Sequence, residues 1–238
     1  MLATDPRPEY LERDSLELSG SRRIRRPRHA RPFFPLEIRA IYAVEPLFAA
    51  LCLICLVPFL GILALIIRVA SGAPPLVAHK RVGRYGKPLW VYKFRTMWPA
   101  AAPTCRSSSL VEKVASERPR LKLGPDPRVT SRLASFCRRH SIDELPQLAL
   151  VAAGQMSIVG PRPITRFELQ EYYDLEATDV LSLRPGLTGL WQVRGRSRLT
   201  YRQRKRLDLF LVHRFSIGLY CRIIALTIPD LVFARNAW

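Results

Sequence analysis

PLFAALCLICLVPFLGILALII, residues 46–67, runs for 22 positions without a charge. As a helix rising 1.5 Å per residue it would be about 33 Å long, enough to cross the hydrocarbon of a bilayer. It has no polar face, which argues against an ordinary core helix. Two features argue against a simple span. Pro58 lies inside the run, where proline removes a helical hydrogen bond and bends the axis. Basic residues also flank both ends: a cluster between Arg22 and Arg39 before it, and Arg68, Lys80, Arg81, Arg84 and Lys87 after it. A spanning helix carries its positive charge on one side. With both flanks basic, the cheaper arrangement keeps both ends cytoplasmic, the helix dipping in, bending at Pro58 and returning. A straight span is the alternative. Cys52 and Cys55 form a C-x-x-C within the run. No second pair or nearby histidine completes a metal site, so they read as small apolar fillers.

The whole chain is long enough for one domain with a sizeable core, or one domain plus tails. It has 238 residues, of which 48% are hydrophobic, so it is no disordered basic protein. Lys+Arg is 38 against 19 acids, for a net charge of +19. Six of the basic residues are lysine and 32 are arginine, whose planar fork suits phosphate and carboxylate. Such a balance admits nucleic acid, an anionic membrane surface or a phosphorylated substrate. Five cysteines without a regular framework exclude a small disulfide-stapled domain.

Residues 1–38 mix charge and proline without apolar period and read as a flexible basic arm. They lack the short apolar core and small-residue cleavage site of a signal peptide. Residues 39–70 are expected to form the membrane helix, and 71–238 a further domain with membrane-associated helices. Within that domain, glycines at 83 and 86 mark a turn before a β-rich run at 89–94. Residues 98–125 read as a variable loop. Helices are expected over 126–140, 143–153 (ended by Gly154), 165–183 and from Thr200 onward. Residues 156–159 form a short strand, and 184–196 turn, strand and turn. Residues 215–228 form an apolar amphipathic segment with only Arg222 charged. It fits a core helix or one lying in the plane of an anionic membrane. The fold class is α+β, mostly helical with a short sheet. A doubly wound sheet is excluded, because βαβ alternation and a glycine-rich phosphate loop are both missing.

The chemistry centres on Ser141-Ile142-Asp143-Glu144, a capping box by spacing. Two acids that merely start a helix would look the same. Adjacent carboxylates, however, point to different sides and can take different roles. A helix N-terminus favours the ionised form that a nucleophile needs. The pair also stands among arginines. A carboxylate attacking a phosphate must overcome repulsion between anions, which arginines and a divalent metal relieve.

Several longer motifs carry a resemblance. They are KRVGRYGKPLWVYKFRTM (80–97), DPRVTSRLASFCRRHSIDELPQL (126–148), MSIVGPRP (156–163), RPGLTGLWQVRGR (184–196) and YRQRKRLDLFLVHRFS (201–216). In this order, and across residues 45–235, they resemble the bacterial sugar transferases, the monotopic phosphoglycosyl transferases. The resemblance implies that Pro58 breaks a re-entrant membrane helix. It implies that Asp143 attacks the β-phosphorus of a UDP-sugar, forms an aspartyl-phosphosugar and expels UMP. Glu144, with Asp143, would hold Mg²⁺, and polyprenyl phosphate would then take the phosphosugar. Arg138 and Arg162 match positions near the substrate phosphates, with Lys93, Arg95 and Arg184 as further candidates. The implied location is the cytoplasmic face of the bacterial inner membrane, in contact with anionic lipid.

Three positions depart from the family pattern. Val57 stands before Pro58 where serine is usual, Gln155 replaces an aspartate, and Tyr220 stands where an aspartate is common. The last two raise the alternative of a catalytically impaired scaffold for polysaccharide assembly. A nucleic-acid binder is disfavoured, because no binding motif appears and the apolar run would burden a soluble binder. The acids of the 165–183 segment read as a solvated face, since they do not converge on a point. The four histidines lack ligand spacing.

Overall fold

A computed structural model describes residues 36–97, 109–114, 129, 131–173, 176–195 and 199–233. The expected arm as far as residue 35, most of the 98–125 loop, Arg128 and Asp174 lie outside the described residues.

The first helix, α1, spans Leu36–Ser71 with both Pro46 and Pro58 inside it. It is slightly longer than the expected 39–70. Long and apolar enough to cross a membrane, its most apolar window has a mean hydropathy of 3.0. One stripe of it is covered by the rest of the chain. Ile38, Glu45, Ala49, Leu63, Ile67 and Ser71 are buried, and Cys52, Leu53, Leu56, Leu60 and Ala64 pack between them. These positions recur three, four or seven apart, which is one face of a helix. The opposite face exposes Leu47, Leu51, Ile54, Ile62, Leu65 and Val69.

A three-stranded sheet follows. β1 (Leu76–Val82) and β2 (Pro88–Phe94) form an antiparallel hairpin whose register pairs Leu76 with Phe94 and Val82 with Pro88. The turn between them needs left-handed backbone at Tyr85 (φ 58) and Gly86 (φ 78). β3 (Val111–Val114) lies parallel to β1 on the other side, giving the order β2-β1-β3. The turn glycines and β2 match expectation. β1 and β3 are additions, and β3 falls where a loop was expected. Val111–Val114 is too short and too charged to stand out by alternation, and its pairing with β1 makes it a strand.

α2 (Arg132–Arg139) is capped by Ser131, whose side chain accepts from the Ala134 amide at 3.0 Å. A 3-10 turn, Ile142–Gln147, leads into α3 (Leu148–Ala152), and Gly154 (φ 67) ends the run as expected. The expected capping box at Ser141 does not form. Ser141 adopts φ 55, and no side-chain cap bond reaches back from it. Its carbonyl instead accepts from the Glu144 amide at 3.1 Å.

β4 (Ser157–Val159) and β5 (Gly186–Thr188) pair in parallel. Gly160 and Gly186 approach so closely that a Cβ on either would run into the other's backbone. Between these strands the expected single helix is broken into α4 (Arg166–Glu168), a π turn (Leu169–Tyr173) and α5 (Ala177–Val180). The capping box is at its start instead, where Thr165 and Glu168 bond each other's backbone amides. α6 (Leu190–Arg194) replaces the expected turn after β5. α7 (Tyr201–His213) starts from a capping box at Thr200. α8 (Ile217–Phe233) exposes Ile217, Leu226, Ile228, Val232 and Phe233.

Four apolar clusters hold these parts together. Ala49 of α1 meets Leu89, Val91, Leu148, Val151 and Met156. Farther along α1, Leu63 and Ile67 meet Phe94, Ala134 and Cys137. Ile164, Leu169, Tyr173 and Val180 form a third cluster. Val159, Leu190, Leu211, Tyr220 and Ile223 form the fourth.

Candidate active site

Asp143 and Glu144 sit in the first turn of the 3-10 segment, directly after Ser141. A serine in left-handed backbone is strained, of the kind that collects at functional sites. Here the turn aims two consecutive carboxylates apart. Asp143 is 8% exposed, whereas Glu144 reaches outward and pairs with Lys93 Nζ. Lys93 comes from β2, which packs on the 3-10 turn. Arg138, in the last turn of α2, donates from Nη1 to Thr96 Oγ1 at 3.3 Å.

Burial holds the Asp143 carboxyl above the usual carboxylate range. Lys93 and Arg138 pull it down and Glu144 pushes it up, so the cations offset the neighbouring acid but not the burial. The expectation that a helix N-terminus would favour the ionised form is thus outweighed by desolvation. Cys137, beneath the dyad, is pushed up to about 11 by its own burial and by Asp143.

Of the residues singled out in the sequence, the structure brings together Asp143, Glu144, Lys93 and Arg138. Arg95 follows β2, donates from Nε to the Pro74 carbonyl at 2.7 Å and pairs with Glu112. Arg162 and Arg184 belong to other clusters. The Arg162 guanidinium lies 4.7 Å from the centre of the Trp191 ring. Arg184 lies 4.2 Å from the Tyr42 ring centre and beside Gly154, after the C-terminal end of α3. Pro58 is on the exposed side of α1.

Three groups that sequence reasoning passed over prove central. Glu45, the last charge before the apolar run, is 4% exposed. Its Oε1 accepts from Tyr220 Oη at 2.7 Å, Ser157 Oγ at 2.8 Å and the Ile158 amide at 2.8 Å. Tyr173 donates to Asp208 Oδ2 at 2.9 Å. Arg204 lies 5.3 Å from the Trp191 ring centre. The position of Glu45 at the edge of the apolar run was the available signal. Nothing local marked the other two.

The departures from family pattern can now be placed. Tyr220 supplies one of the three hydrogen bonds that Glu45 Oε1 accepts. Gln155 is exposed in the turn after α3. Neither bonds to the dyad among the described residues.

Among the described residues no three His, Cys, Asp or Glu side chains converge as a metal cluster. The dyad still fits Mg²⁺, which is commonly held by one or two carboxylates plus substrate phosphate oxygens. Its two acids are adjacent, hard-oxygen donors, and apart from its own amide the Asp143 carboxylate accepts no hydrogen bond among the described residues.

The family model for bacterial sugar transferases matches residues 39–234. The exopolysaccharide production protein ExoY of Sinorhizobium fredii is 36% identical over 216 residues, covering 87% of this chain and 95% of that protein. ExoY of Rhizobium meliloti is 34% identical over 218 residues, covering 87% and 96%. The undecaprenyl-phosphate galactose phosphotransferase of Salmonella typhimurium is 39% identical over 155 residues, 62% of this chain but 31% of that longer protein.

Proposed function

The chain belongs to the bacterial sugar transferase family, and from that premise we propose that it moves a phosphosugar from a UDP-sugar to polyprenyl phosphate at the cytoplasmic face of the inner membrane. The observation that carries this reading is the pairing of a buried Asp143 with an outward Glu144 between Lys93 and Arg138.

An Asp143 carboxylate oxygen attacks the β-phosphorus of the donor. The bond from that phosphorus to the bridging oxygen breaks, and the electron pair leaves with UMP. The phosphosugar is then an acyl phosphate on Asp143. A phosphate oxygen of polyprenyl phosphate attacks the same phosphorus and returns the carboxylate. Lys93 and Arg138 offset the gathering of anions, which is the main barrier between a carboxylate and a diphosphate. Glu144, with Asp143, would hold Mg²⁺, which supplies charge neutralisation at the phosphoryl oxygens. Lys93 also fixes the direction of Glu144.

The packing of α1 supports a helix held at one membrane face. Glu45 near one end and Leu63 to Ser71 near the other are both fixed on the same domain. A helix so fastened cannot carry its ends to opposite sides of a bilayer without losing one set of contacts. Its bare apolar side, with the exposed residues of α8, presents a surface suited to lipid. Anionic headgroups suit the exposed basic residues of α7, Arg202 and Arg206.

The test is UMP release by the purified protein with Mg²⁺, undecaprenyl phosphate and a panel of UDP-sugars. Release by the wild type and silence from Asp143→Ala supports the reading. Silence from both across the panel sinks it and favours the scaffold alternative.

A further inference from the structure

His140 stands at the join between α2 and the turn that carries the dyad. It closes α2, its amide donating to the Phe136 carbonyl at 3.1 Å, and the next residue is the left-handed Ser141. Its half-buried ring reaches another element. Nδ1 meets the Leu231 carbonyl at 2.6 Å, a partner 91 positions away near the end of α8. A carbonyl can only accept, so Nδ1 carries the proton and donates. The Phe136 ring packs beside it, with ring centres 4.5 Å apart.

The place of the acceptor gives the bond its meaning. The last four carbonyls of a helix have no partner within it, and α8 ends at Phe233. A histidine donating there caps the helix and meets the negative end of its dipole. The bond also extends a pattern along α8. Tyr220 reaches Glu45 of α1, and the Thr227 hydroxyl meets that of Thr188 in β5 at 2.9 Å. Tyr220, Thr227 and Leu231 are spaced seven and four apart, which is one side of a helix. The first two tie α8 to α1 and β5, and the third ties it to the segment before Asp143. The other side of α8 is apolar and exposed.

A strained residue keeps its conformation only where the structure around it is fixed. After Ser141, Ile142 packs into the cluster of Leu63 and Ile67, and Lys93 holds Glu144. Immediately before it, the side-chain tie is that of His140 to α8. We infer that His140 is a positioning residue for the dyad: by donating to Leu231 it fixes the entry to the turn, and so the direction of the Asp143 carboxylate. It acts through the backbone of Ser141 and Ile142 rather than on the substrate. The inference rests on the transferase reading above.

Two variants of the full chain in detergent separate the bond from the ring. His140→Phe keeps a ring against Phe136 and loses the donor. His140→Asn loses the ring and keeps an N–H donor at the place of Nδ1. In His140→Phe, kcat for UMP release is expected to fall by about tenfold with KM for the UDP-sugar unchanged, within the cost of an ångström-scale misplacement. Hydrogen exchange of the Ser141 and Glu144 amides, which close the turn onto the Arg138 and Ser141 carbonyls, is expected to quicken by about tenfold. His140→Asn is expected to restore both. A merely structural histidine would not split kcat from KM. Unchanged turnover and exchange in His140→Phe overturn the inference. So does a loss that falls on KM alone, or one that His140→Asn shares in full. The exchange readout does not need turnover. Quickened exchange beside a wild type that releases no UMP keeps the bond and sinks the transferase reading. UMP release by the wild type and His140→Phe alike does the opposite.

Discussion

Asp143 and Asp208 are the same residue type, both buried, both held above the usual carboxylate range by desolvation. Their surroundings differ in one respect that bears on the role proposed for Asp143. Asp208 has both oxygens engaged, Oδ2 by the Tyr173 hydroxyl and Oδ1 by the Arg162 amide. Arg162 and Arg204 add positive charge nearby. Apart from its own amide, Asp143 receives no hydrogen bond among the described residues, and its cations are shared with Glu144. A carboxylate with committed oxygens holds helices together. One with uncommitted oxygens can bond to something that arrives.

The sharpest way to break this contrast is Asp143→Asn against Asp208→Asn. The first is expected to lower UMP release by about 10³-fold or more, and the second to keep measurable turnover. Comparable losses in both would dissolve the distinction. Next comes Lys93→Met, which removes the ammonium that pairs with Glu144. A loss of about 10²-fold in turnover is expected, with the unfolding midpoint nearly unchanged because Lys93 and Glu144 are part-exposed. A large drop in midpoint would mean that the pair is structural. On the structural side, Glu45→Ala strands the Tyr220 hydroxyl and the Ile158 amide and leaves Ser157 Oγ only the Val159 carbonyl. Denaturant unfolding in detergent should report about 2 kcal/mol of lost stability, and Glu45→Gln less. An unshifted transition would remove Glu45 as the link between α1 and the domain.

The smallest effect concerns pH. Asp208 is pushed up to about 7 in the fold, from an ordinary 3.8. The fold therefore favours its protonated form. The stability it contributes is full below about pH 4 and is lost as pH rises through about 7. Thermal unfolding of the wild type should decline over that window relative to Asp208→Asn, whose side chain stays neutral, with the midpoints diverging by a few degrees, roughly. Parallel curves would show that Asp208 does not titrate there.

Much of the region around the dyad was legible in the sequence because its signals are local. Asp143 and Glu144 are adjacent, β2 is a run of β-formers, and Gly154 ends the helical run at the position its type suggests. The local geometry of the dyad was not legible. The spacing Ser-x-x-Glu promised a capping box, but Lys93, 51 positions earlier in the chain, claims the Glu144 carboxylate. The structural end was harder still. Tyr220 looked like a missing acid until α1 brought Glu45 against it, a contact 175 positions apart. Likewise β3 becomes a strand only through its pairing with β1, and Arg162 finds Trp191 and Asp208 only once α6 and α7 are in place. Long-range partners override local pattern in each case.

The stripe along α1 has a consequence for how the protein is made. The ribosome completes α1 before it has made any of the residues that cover it, since Leu89, Val91, Ala134, Cys137 and Leu148 to Met156 all follow. For that interval the nascent helix is bare on both sides, one apolar for good and the other apolar only until its partners arrive. Early delivery to the bilayer would shelter both sides at once. The domain, folding afterwards, would then have to displace lipid from one side of a helix already seated, with Glu45 marking which side to take.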